Sequence, residues 1–154
     1  MGVAEARDVA SYLVTKFREV GKPATNIKLQ KVLYYAWIDY YNTQKKYLFD
    51  DEFFAWKFGP VVREVYFTYR LCAAMPIMYP IGEYNEVDSS LKVFLDGEVE
   101  KFKDTKASTL VSRSHGDYTN KETAWSIIHK DAGDRLDKVI PFDLIIQKEC
   151  EEYA

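Results

Sequence analysis

The sequence has little of what several common classes of protein require. It has two cysteines and two histidines in 154 residues, too few for a disulfide framework and at no recognisable metal-ligand spacing. No apolar run approaches the roughly 18 residues that cross a bilayer, and the seven glycines form no Walker-type or Rossmann-type phosphate loop. These absences argue against a disulfide-rich, a membrane-spanning and a nucleotide-binding protein, and we expect no metal and no cofactor.

The chain also lacks an excess of positive charge. Its formal net charge is −3, whereas a dedicated nucleic-acid binder is usually strongly basic. We therefore expect neither a nucleic acid nor a membrane as its partner. Few cysteines fit a reducing compartment, and no basic-apolar leader stands at the N-terminus, so we expect a cytoplasmic protein.

Aromatic residues, in contrast, are abundant, at 16% of the chain with 12 tyrosines among them. The length is typical of one domain, and we predict a single domain over residues 1–154. Apolar residues recur at helical spacing in most of the chain, which predicts a mainly α, compact helical bundle of about 6–7 helices. The predicted helical segments are residues 3–20, 26–45, 61–72, 88–103, 106–114, 123–130 and 141–150.

One stretch, residues 53–58, interrupts the helical pattern. Phe54, Trp56 and Phe58 alternate with the residues between them, which is the period of a half-buried strand. We therefore predict a short strand or hairpin here. Gly59-Pro60 should end the strand and begin a helix, because the fixed φ of proline suits a first helical turn. We expect helices to cover Trp56 and Phe58, since exposing such large apolar side chains is unfavourable.

Two blocks of this sequence resemble the signature of a known family. They are LQKVLYYAW, residues 29–37, and FAWKFGPVVREVY, residues 54–66. This signature is that of the Panacea domain, which defines the SocA-like antitoxin family, also described as phage-associated GepA-like proteins. Leu110 to His115 followed by Ala124-Trp125 resembles a later motif of the family, so the resemblance covers about residues 5–153.

The resemblance implies an antitoxin of a bacterial or prophage toxin–antitoxin system. Members are encoded beside varied toxins and neutralise them by protein contact. The SocA-type member also delivers its toxin to a AAA+ protease. We therefore expect a cognate toxin protein, encoded by a neighbouring gene, as the partner, with a AAA+ protease as a further candidate. The resemblance implies no catalytic activity, and we expect the protein not to be an enzyme.

The candidate binding residues lie in and beside these blocks. Some side chains of the predicted helix over residues 26–45 lie beside its apolar stripe. We expect these side chains to face solvent or a partner. Where the chain bends at Gly59-Pro60, we expect a groove that accepts a toxin segment. Aromatic side chains held in a rigid frame are typical hot spots of protein interfaces. The predicted partner-binding residues are Gln30, Lys31, Tyr34, Trp56, Lys57, Gly59, Pro60 and His115. The predicted structural residues are Leu29, Leu33, Trp37, Val61, Tyr66 and Trp125.

Two alternatives from other classes stay open at this point. His115 with the nearby Asp117 would suit a hydrolase-like enzyme, although no nucleophile-elbow motif accompanies them. A DNA-binding autoregulator is the second alternative, and residues 101–121 are locally basic. Few aromatic residues are interleaved with those basic residues to stack on bases, and the overall acidic balance also weighs against it.

Overall fold

The computed structural model describes residues 2–117, 119 and 121–150. These residues form seven α-helices, and the predicted mainly α class is confirmed. Among them, no helix combines the length and the apolar character needed to cross a membrane. The helices are α1 (Ala6–Glu19), α2 (Asn26–Gln44), α3 (Arg63–Thr68), α4 (Ser89–Phe102), α5 (Ala107–His115), α6 (Ala124–Ala132) and α7 (Phe142–Glu149), and a 3-10 turn, Arg70–Cys72, follows α3.

A small antiparallel sheet accompanies the helices. Its strands are β1 (Phe53–Trp56), β2 (Gly59–Val61) and β3 (Val139–Ile140), in the order β2-β1-β3. β1 and β2 form a hairpin in which Trp56 lies opposite Gly59, and β3 pairs with the other side of β1. The hairpin predicted near residues 53–58 is therefore confirmed.

The corner differs from the sequence-based expectation in two respects. Pro60 lies in the edge strand β2, opposite Ala55, and not at a helix start. A tight turn reverses the chain before it, and an edge strand tolerates the missing N–H of proline. Phe58 lies in that turn and is 56% exposed, so the prediction that helices cover Phe58 is wrong.

α2 is the central element of the fold. Thr25 Oγ1 accepts a hydrogen bond from Lys28 N at 3.3 Å, which caps the first turn of the helix. Helices α1, α3, α4, α5 and α7 and strand β2 all pack against it. Its inward residues Leu29, Leu33 and Trp37 have no exposed surface. Because the hairpin lies directly against α2, the two blocks that carry the family resemblance are neighbours in space.

Candidate functional site

Lys31 is a lysine of α2 with no exposed surface. Its Nζ donates a hydrogen bond to the Pro60 carbonyl of β2 at 2.8 Å. Burial lowers the pKa of Lys31 to about 7, because taking an ammonium group out of water disfavours its charged form. Within the described residues no carboxylate forms an ion pair with it. The hydrogen bond of Lys31 to the hairpin is thus made to a backbone carbonyl.

Two further polar side chains of α2 extend this attachment. Gln30 Oε1 accepts a hydrogen bond from Val62 N at 2.9 Å, and Gln30 Nε2 donates to Asn26 Oδ1 at 3.1 Å. Asn26 Nδ2 donates to the Tyr66 carbonyl at 3.0 Å. Pairing is favourable here because an unpaired buried backbone group costs free energy. We call Asn26, Gln30 and Lys31 the α2 clamp, since together they hold the chain from β2 to α3.

The exposure expected for Gln30, Lys31 and Tyr34 at the sides of α2 is wrong. All three are at most 1% exposed. Tyr34 packs edge-to-face on Phe53, with ring centroids 5.1 Å apart, so its ring belongs to the core. The expectation failed because the hairpin covers the flank of α2 that the apolar stripe leaves free. The part of these residues in binding a partner stays a prediction.

Gly59 permits the close approach of three elements. Its φ is +107°, a region that side chains other than glycine rarely adopt. A Cβ at this position would lie 2.6 Å from Ser114 Oγ and 3.0 Å from Lys31 Cε. Ser114 itself donates from Oγ to the Val111 carbonyl at 2.7 Å. Glycine therefore lets α2 and the end of α5 meet at the hairpin.

The hairpin is also held by α5, α6 and the segment before β3. Trp125 Nε1 donates a hydrogen bond to the Trp56 carbonyl at 2.7 Å, and Trp56 Nε1 donates to the Leu136 carbonyl at 2.9 Å. The backbone of Lys57 lies beside the His115 side chain. The side chains of Gln30, Lys31, His115 and Trp125 thus converge on one short stretch of backbone, and they do so from three different helices.

His115 stacks on the indole of Trp125, with ring centroids 3.8 Å apart, and His129 stacks on the same indole at 4.3 Å. Burial lowers the pKa of His115, and nearby Lys31 and His129 add to this against the opposing charge of Asp117. In the part of the chain that the structure describes, the buried Nε2 of His115 has no hydrogen-bond partner.

A groove of about 440 Å³ opens between the N-terminal end of α2, the β1–β2 turn and the segment after α3. The rings of Trp56 and Tyr66 meet edge-to-face in its wall at 5.1 Å. Two exposed apolar side chains, Phe58 and Leu136, flank them. We call this the hairpin groove, and its lining includes Gln30, Lys31, Trp56, Lys57, Phe58, Tyr66, Arg70 and Leu136.

The groove contains only some of the predicted binding residues. Its lining includes four of them, Gln30, Lys31, Trp56 and Lys57, but not Tyr34, Gly59, Pro60 or His115. Sequence reasoning missed several other lining residues, among them Phe58, Arg70 and Leu136. Leu136 is an apolar residue with charged neighbours on both sides. This pattern could have indicated that it contacts another part of the protein or a partner. Arg70 lies in the turn after α3, and nothing in its sequence context indicates the groove.

Comparison with known proteins identifies one family. The family model described as antitoxin SocA-like, Panacea domain, matches residues 29–126. This match covers more than half of the chain and is narrower than the resemblance over residues 5–153. It includes the α2 clamp except Asn26, the whole β1–β2 hairpin, and both His115 and Trp125. No curated protein and no solved structure matches the chain.

Proposed function

The chain belongs to the family of SocA-like antitoxins with a Panacea domain, and from this premise we propose that it neutralises a toxin by direct contact through the hairpin groove. The toxin is the product of a neighbouring gene. The observation that carries the proposal is the exposure of Phe58, which is 56% accessible beside Trp56 in an otherwise anchored turn. An exposed aromatic side chain next to an apolar groove is typical of a protein-binding surface.

The rigidity of the hairpin supports this proposal. Lys31, Gln30 and Trp125 each hydrogen-bond to its backbone or to the residue that follows it. A surface that is already ordered before binding loses little conformational freedom when a partner arrives, so more of the contact energy appears as affinity. The aromatic residues of the groove are therefore presented in a pre-organised position.

The mechanism that we propose is steric occlusion. A toxin segment that occupies the hairpin groove is withheld from the cellular target of the toxin, and the antitoxin needs no chemistry of its own. Delivery of the toxin to a AAA+ protease, which the family resemblance implies, would add degradation to occlusion. The half-life of the toxin in cells, with and without this protein, distinguishes occlusion alone from occlusion with degradation.

Co-expression tests the proposal. Each neighbouring open reading frame is expressed alone and together with this protein, and growth and complex formation are measured. We expect one product to be toxic alone and neutralised by the wild-type chain. Phe58→Ser should weaken the complex by about tenfold or more, as loss of a hot-spot aromatic does.

A matched control is Val93→Ser, which changes a side chain of α4 that is 73% exposed and lies outside the groove. It should neutralise the toxin as the wild type does. The proposal is wrong if no neighbouring product binds the wild-type chain. If Phe58→Ser and Val93→Ser bind the toxin equally well, the toxin does not bind at the hairpin groove.

A further inference from the structure

The charge of the hairpin groove differs in sign from the net charge of the protein. The chain has 24 acidic and 21 basic residues, yet every charged residue that lines the groove is basic, namely Lys31, Lys57 and Arg70. A nearby hollow shows the reverse pattern, because its lining combines Arg63 with Asp50, Asp51, Glu52 and Glu64. The positive charge is thus a local property of the groove.

The two exposed cations of the groove, Lys57 and Arg70, lack carboxylate partners among the residues that the structure describes. Lys57 Nζ lies 5.6 Å from the centre of the Phe58 ring, and the Arg70 guanidinium lies 5.9 Å from that of Phe67. Over the described residues neither forms an ion pair. Lys31 lies buried on the inner side of the groove, where its Nζ donates to the Pro60 carbonyl, and because burial disfavours its charged form the exposed charge comes from Lys57 and Arg70. The groove therefore presents apolar rings with unneutralised positive charge around them.

The α2 helix adds to this field. Asn26 and Ile27, its first two residues, line the groove. The first backbone N–H groups of a helix have no partner within it, and they carry partial positive charge. Lys57 and Arg70 are exposed and come from the β1–β2 turn and the turn after α3, so positive charge reaches the groove from separate elements.

We propose that the hairpin groove binds an internal segment of the toxin in which an apolar side chain is flanked by aspartate or glutamate. The apolar side chain packs against Trp56, Phe58 and Tyr66, and the flanking carboxylates pair with Lys57 and Arg70. An internal segment fits because the cations stand on separate elements around the apolar rings. This inference rests on the proposed function, since it names the chemistry of the same partner.

Selection from a library tests the chemistry without knowledge of the toxin. Short random segments, displayed with both ends fused, are selected on the wild-type chain and counter-selected on the double variant Lys57→Glu/Arg70→Glu. We expect the enriched segments to carry acidic residues around an apolar one. They should bind the double variant about tenfold more weakly or worse, because attraction becomes repulsion. Replacing their carboxylates with amides should weaken binding to the wild type in the same direction.

The matched control is Lys46→Glu/Lys130→Glu, which makes the same change of charge at two exposed lysines outside the groove. It should bind the selected segments as the wild type does, and circular dichroism melting checks that both double variants are folded. The inference is overturned if the enriched segments are neutral or basic, or if the two double variants bind them equally well. It is also overturned if a random-sequence oligonucleotide binds the groove with the same dependence on Lys57 and Arg70.

The neighbouring toxin separates this inference from the proposed function. If the wild type and Lys57→Glu/Arg70→Glu neutralise the toxin equally, the inference of an acidic segment is wrong, but the proposed antitoxin function stands. If the wild type neutralises no neighbouring product, the proposed function fails whatever the library selects.

Discussion

The two halves of α2 both contribute side chains to the core, but different interactions hold them. In the first half, the α2 clamp pairs polar side chains with the backbone of the hairpin and α3. In the second half, Trp37 stacks on Phe142 at 4.9 Å and on Tyr41 at 5.9 Å. The second half is built for stability through apolar contact, whereas the first half fixes the position of the groove.

Each half of α2 also has an ionisable group whose charged form is disfavoured, either within it or packed against it. Lys31 belongs to the clamp itself. Glu98 of α4 is 6% exposed and lies beside Asp39 in the second half of α2. Burial, and then the hydrogen bond and charge of Asp39, raise the pKa of Glu98 well above its ordinary value. The two groups therefore give folding opposite dependences on pH, which makes the halves separable by experiment.

The largest effect is expected from Trp37→Ala in the second half. Trp37 has no exposed surface, and its Nε1 donates to the Phe49 carbonyl at 3.1 Å. Truncation of a buried tryptophan leaves a cavity and costs about 3–5 kcal/mol. Urea denaturation followed by circular dichroism should show this loss in the free energy of unfolding. A loss below about 1 kcal/mol would mean that the aromatic stack does not stabilise the fold.

Gln30→Ala should have a smaller effect, in the first half. It leaves Val62 N buried without its acceptor, which costs about 1–3 kcal/mol in the free energy of unfolding. Gln44→Ala is the matched control, because Gln44 ends the same helix and is exposed. Its effect should stay within about 0.5 kcal/mol. Equal effects at both glutamines would contradict the role of the clamp.

Lys31→Met should change how stability depends on pH. Between pH about 7 and 10.5, the folded and ordinary pKa values of Lys31, the unfolded chain binds more protons, so the group makes stability rise with pH. One proton contributes at most about 1.4 kcal/mol per pH unit. The free energy of unfolding of Lys31→Met, measured across this range, should lack that rise. An unchanged slope would show that Lys31 titrates normally in the folded protein.

Glu98→Gln should give a change of slope with the opposite sign. Because the pKa of Glu98 is raised in the folded state, the folded chain holds the extra proton, and its stability falls as pH rises above the ordinary value of 4.5. The amide removes this fall, because it does not take up or release a proton in this range. Denaturation curves from mildly acidic to neutral pH measure it. A variant that loses stability evenly at every pH would point to packing and not to proton binding.

The helices could be predicted because their signals are local. Asp88 accepts a hydrogen bond from Leu91 N at 2.8 Å at the start of α4, as its position before an apolar run predicts. Thr25 caps α2 in the same way. Strand β1 of the hairpin is also visible, since the alternation before Gly59 needs only a few residues, whereas β2 lies where the sequence predicts the start of a helix. In each case the residues that determine the element lie within one turn of it.

The groove could be predicted only in part, because distant residues determine it. The burial of Gln30 and Lys31 depends on backbone groups about 30 positions later, and no periodicity in α2 reports that. Phe58 was expected inside because large apolar side chains usually are, but the tight turn points it outward. Leu136 reaches the groove because Trp56 donates to its carbonyl, a contact that spans 80 positions.

The central place of β1 has a consequence for synthesis on the ribosome. β1 pairs with β2 a few residues later, but its second partner, β3, is made only at Val139–Ile140. Trp125 and Leu136 must also have left the exit tunnel before Trp56 has its hydrogen bonds. A nascent chain that has completed α1 to α3 thus still lacks a finished groove, because the residues that position Trp56 have not yet been made.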